Sequence, residues 1–62
     1  MNKAQETLKK MIEELEAQLV TLRAQYDECT HPSLEIEIAI MITQAEGKRQ
    51  YLIRFRDQMG GS

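Results

Sequence analysis

The stretch from Ser33 to Thr43, S-L-E-I-E-I-A-I-M-I-T, constrains the fold of this chain more than any other. It carries Leu34, Ile36, Ile38, Ile40, Met41 and Ile42, more apolar surface than one face of any element needs. At period two, Leu34, Ile36, Ile38, Ile40 and Ile42 alternate as in a half-buried strand. At helical period, Leu34, Ile38, Met41 and Ala45 begin a seam with steps of four, three and four. That seam continues through Lys48, Leu52, Phe55 and Met59, with only Lys48 out of character. A strand needs a partner, and nothing else in the chain reads as one. The stretch is therefore expected to be helical. At about 100° per residue, Ile36, Ile40 and Tyr51 fall opposite the seam, with Gly47 between the last two and Ile42 and Ile53 at the flanks. A helix apolar on two sides has to be covered on two sides, which a single neighbouring helix cannot do.

The first half of the chain is one-sided. From about Asn2 to Glu28 there is no Pro or Gly, and Ala, Leu, Glu, Gln, Lys and Arg predominate, all good helix formers. Leu8, Ile12, Leu15, Leu19, Leu22 and Tyr26 form an unbroken seam of alternating four- and three-residue steps. The opposite face is Ala17, Thr21 and Ala24 among charges.

Between the two seams lies the break, Cys29-Thr30-His31-Pro32. Pro32 disfavours helical geometry at His31 and suits the first turn of a following helix. Either His31 or Ser33 is expected to cap the second helix, with Glu35 and Glu37 well placed for its dipole. A connection this short between two seamed helices implies an antiparallel hairpin. The expected fold is thus all-α and coiled-coil-like: helix 2–28, turn 29–32, helix 33–58 and a disordered tail 60–62. Each helix would be roughly 40 Å long at 1.5 Å per residue, so the seams can zip throughout. Antiparallel packing would also lay Lys48, Arg49, Arg54 and Arg56 beside Glu6, Glu13, Glu14 and Glu16.

Sixty-two residues support only a marginal core, and natural chains of this size add disulfides, metal or oligomerisation. One cysteine allows no intrachain disulfide, and no ligand cluster suggests a metal or other cofactor. Association with a protein partner or with itself is what remains, in a helical bundle. A net charge of −2 gives no general attraction to nucleic acid or anionic membrane. No apolar run approaches the roughly 18 residues that span a bilayer, and the first residues show no signal-peptide pattern, so a cytoplasmic location is expected.

Chemistry has little to stand on. Cys29 and His31 are the one pair that invites a nucleophile–base reading, yet no third group orients them and no Gly-rich turn builds an oxyanion site. An enzyme is not expected. Lys48 to Arg56, K-R-Q-Y-L-I-R-F-R, mixes cations with Tyr51 and Phe55 as a nucleic-acid patch does, but Phe55 belongs to the seam. Gly47 sits mid-helix, where Gly costs about 1 kcal/mol relative to Ala. It marks either a close approach by another helix or a tolerated weak point.

The segments L-V-T-L-R-A (Leu19 to Ala24), His31-Pro32 and M-I-T-Q-A-E (Met41 to Glu46) resemble stretches of the E-type co-chaperones of type III secretion needle proteins. These are hairpins of similar size. The resemblance implies a cytoplasmic co-chaperone that binds a helical partner through its second helix, and with it holds a subunit before export. The candidate partner-binding residues are Ile36, Ile40, Ile42, Gly47, Tyr51 and Ile53. In length and seam layout, and at residues such as Lys3, Gln18, Thr21 and Ala45, the chain also resembles the Rop family. Those are dimeric four-helix bundles that regulate by binding RNA. That likeness implies an RNA-reading face on the first helix, where this chain instead presents Glu13, Glu14 and Glu16.

Overall fold

The computed structural model describes residues Lys3–Gly60. Helix α1 runs Lys3–Glu28 and helix α2 runs Pro32–Gly60, and the two pack against each other as an antiparallel hairpin. The molecule is a rod with extents of 46 × 15 × 11 Å. Among the described residues every element is helical, so the Ser33–Thr43 stretch is helix and not strand. The expected start at Asn2 and the tail positions Gly61 and Ser62 lie outside the described residues. At the other end α2 continues past Gln58 to Gly60, which the sequence had placed in the tail. Met59 explains the extension, since it packs against the core and draws the last turn in.

The turn is Cys29, Thr30 and His31. The Cys29 amide donates to the Tyr26 carbonyl at 3.3 Å, closing α1 with a tighter last turn. His31, not Ser33, caps α2. Its Nδ1 accepts from the Leu34 amide at 3.4 Å, and its carbonyl accepts from the Glu35 amide at 2.9 Å. Pro32 then occupies the first helical position, where its missing N–H costs nothing.

The core is the α1 seam laid on one side of α2. Leu8, Ile12, Leu15 and Leu19 are buried, as are Ala45 and Leu52, with Leu22, Ile42, Ile53 and Met59 packed around them. Ile38 is buried nearer the turn. Tyr26, expected at the end of the α1 seam, is exposed, as is Leu34 near the start of α2.

On α2 the buried side differs from the expected seam. Leu34, Met41, Lys48 and Phe55 are exposed, and Ile42, Arg49 and Ile53 turn inward instead. The helix is rotated by about half of one residue's 100° step. Two gains account for this. Branched Ile42 and Ile53 replace Met41 and Phe55 against α1, and Arg49 replaces Lys48 at the seam's edge. Arg49 Nη2 and Nε both donate to Glu16 Oε2, at 2.8 and 3.2 Å. A guanidinium forks in this way and an ammonium does not. Arg23 Nη2 donates to Glu46 Oε2 at 2.7 Å on the same flank. These exposed pairs are each worth under about 1 kcal/mol and act mainly on register and orientation.

Two measurements check this packing. Leu19→Ala removes a side chain only 3% exposed and should cost about 3 kcal/mol, enough to lower the thermal midpoint steeply by circular dichroism, whereas Val20→Ala should leave it nearly unchanged. Replacing His31 with Asp, a stronger cap, should raise the same midpoint, by about 0.5 kcal/mol of stability.

Candidate interaction face on the second helix

The face of α2 turned away from α1 is apolar. Ile36, Ile40 and Tyr51 are 63%, 46% and 64% exposed, and they share one side of the helix by their four- and eleven-residue spacings. The rotation of α2 widens this face. Leu34, Met41 and Phe55 are 52%, 50% and 45% exposed along its border, where the seam had been expected. Tyr51 and Phe55 stand one turn apart with ring centroids 6.4 Å apart and planes tilted by 42°. This separation is within the favourable range for aromatic pairs, so the two rings form one aromatic corner of the face. Exposed polar residues share the arc: Glu37, Gln44 and Lys48 along one border, and Ser33, Arg54 and Gln58 in line with the apolar residues toward the helix ends.

Of the candidate partner-binding residues, Ile36, Ile40, Gly47 and Tyr51 lie on this face. Ile42 and Ile53 do not: they are half-buried against the α1 core. Leu34, Met41 and Phe55 are the members that sequence reasoning assigned elsewhere. The available signal was Arg49, whose reach to Glu16 requires the rotation that turns those three outward.

Gly47 has nothing within 4 Å of where a Cβ would stand, and no glycine among the described residues adopts positive φ. Neither intrachain packing nor backbone conformation therefore demands glycine at this position.

The two flanks of the hairpin differ. One carries the Glu16–Arg49 and Arg23–Glu46 pairs across the helix boundary. The other is a shallow groove in which Gln18, Leu22 and Gln25 of α1 face Met41 of α2, with Met11 and Lys48 further along. The outer face of α1, by contrast, is charged and small. Val20, 68% exposed, lies off that face at the edge of the ion-pair flank, with Arg23, Glu46 and Arg49 around it.

Other chemistry finds little support. Cys29 is half-buried, and its thiol donates to the His31 carbonyl at 3.5 Å, which does not pair it with the His31 ring. No group of three or more His, Cys, Asp or Glu converges as metal ligands among the described residues. In the basic end, Arg49 is engaged with Glu16, and Arg56 lies 3.7 Å from Asp57. No described helix is long and apolar enough to cross a membrane. Compared with protein-family models, curated proteins and solved structures, the chain matches none of them.

The flank assignment is open to a charge-swap test. Glu16→Arg and Arg49→Glu should each lower stability at low salt, and the double substitution should recover most of the loss. The coupling, about 0.5 kcal/mol, should fade in 1 M salt.

Proposed function

We propose that this chain is a protein-interaction module, a helical hairpin that docks another helical surface on the outer face of α2, in the manner of a small cytoplasmic co-chaperone or adaptor. The observation that carries this reading is the exposure of Ile36, Ile40 and Tyr51 on the side of α2 that α1 does not reach. Contiguous apolar patches on a soluble chain mark interaction sites, whereas single exposed hydrophobics do not. The function is burial without chemistry: anchors one turn and three turns apart on one side of the helix enter a groove between the side chains of the facing helix. Tyr51, braced by Phe55, has the size and preorganisation of an interface hot spot.

The resemblance to the needle co-chaperones supports the same class of partner, a helical protein met by the second helix. A cytoplasmic setting, in which Cys29 stays a thiol, belongs to this proposal. The RNA-binding alternative ranks behind it. Glu13, Glu14 and Glu16 stand where an RNA-reading first helix would need cations, and Arg49 and Arg56 already face carboxylates.

Placing a carboxylate on each outer face tests the reading. Ile40→Asp should keep most of the hairpin's helicity while losing association, both with itself and with any protein retained by the immobilised wild type. Ala24→Asp, on the outer face of α1, should behave as wild type. Equal retention by wild type and Ile40→Asp would remove α2 from the interface and overturn the proposal.

A further inference from the structure

The outer face of α2 has a symmetry that its apolar character alone does not require. Ile36 and Tyr51 lie equally far on either side of the Thr43–Gln44 peptide bond, and so do Ile40 and Gly47. A two-fold axis through that point, perpendicular to the helix, carries the face onto itself with the chain reversed. Each large residue then meets what it needs. Tyr51 lies over Ile36 of the second copy, and Ile40 lies over its Gly47.

We infer that the occupant of this face is a second copy of the chain, packed α2 against α2 in antiparallel fashion about a two-fold axis at Thr43–Gln44. The inference rests on the interaction-module reading and names the partner for it.

Three independent observations converge on this arrangement. Gly47 is a helix-interior glycine that nothing within its own chain explains, since the space around it is open. Facing Ile40 of a second copy, that space becomes the hole for a branched side chain, and the two helices approach closely at both symmetric points. Charge is the second. Glu37 and Lys48 lie on one border of the face, and in an antiparallel pair like borders fall on the same side. Glu37 of one copy then comes within a turn of Lys48 of the other, twice by symmetry, whereas a parallel pair in register puts the two Glu37–Lys48 borders on opposite sides of the contact, where they do not meet. An isologous contact of this kind is the commonest route to a closed dimer. The third is the aromatic corner. Phe55, beside Tyr51, reaches the stretch around Leu34 of the second copy and so extends the contact toward both ends.

A helical partner that uses the same face has to displace the second copy. Self-association would then protect the apolar strip until the partner arrives.

The tests use the full chain. Sedimentation velocity across protein concentration and salt should show a dimer, weaker at high salt. A monomer at all concentrations would overturn the two-copy assignment, while the Ile40→Asp comparison above still decides the interaction-module reading separately. Orientation follows from single cysteines in a Cys29→Ser background. Gln44→Cys, beside the axis, should oxidise to a covalent dimer. Gln58→Cys should not, because the antiparallel arrangement sends its symmetry mate to the far end. Crosslinking at Gln58 equal to that at Gln44 would exclude the antiparallel pair. Finally, Gly47→Leu should leave the hairpin folded, since its own chain leaves room. It should nevertheless weaken self-association at least tenfold, and unchanged dimerisation with retained helicity would refute the Ile40–Gly47 contact.

Discussion

Every other feature of this protein depends on a mismatch between two helix surfaces. The apolar stripe of α1 is narrow, with Leu8, Ile12, Leu15 and Leu19 in a single row, so it can cover only one side of whatever packs on it. The apolar arc of α2 is far wider, running from Ile42 and Ile53 through Leu34 and Met41 to Ile36, Ile40 and Tyr51. When the row meets the arc, part of the arc is left over. Which part is left over shows in the contact itself, where Ile42 and Ile53 pack against α1 and Arg49 reaches Glu16 at the edge. The ion pair adds little energy, and together with Ile42 and Ile53 packed on the core it marks the side of the helix that the solvent does not see.

Burial in the resulting core is partial. Among the described residues no large side chain is entirely removed from water, as expected where two cylinders touch along a line. A hairpin of this kind has its hydrophobic stabilisation divided between an intrachain half and a half still unspent on α2. Any surface that docks on α2 and binds only the folded hairpin would therefore add to stability as well as to recognition, through residues other than those of the core.

Much of this was legible in the chain itself. The all-α hairpin followed from two runs at helical period separated by Pro32, and the two-sided character of the second helix followed from the density of Ile and Leu between Leu34 and Ile42. What could not be read was rotation. Periodicity locates a stripe to within about half a residue step, and on an element apolar nearly all round a shift of that size moves residues from one role to the other. Ile42 and Ile53 went inward and Leu34, Met41 and Phe55 outward for that reason. The outcome rests on contacts between residues far apart in the chain, Ile42 and Ile53 against the α1 core and Arg49 with Glu16, which local periodicity does not record. His31 over Ser33 as the cap is a smaller case: both are suitable residues, and the position of Pro32 in the first turn selects the one before it.

The turn at Cys29, Thr30 and His31 has a kinetic consequence. With so short a connection the helices meet first beside the turn, and each further contact closes a loop only slightly longer than the last. Assembly can proceed as a zipper from that end, on the fast timescale of helix growth and short-loop closure. Loss of structure runs the other way, beginning at the end of the rod opposite the turn. The middle of α2, with Ile40 and Gly47, is far from both the closing point and the fraying end. Breathing at the open end therefore leaves the geometry of that face largely undisturbed.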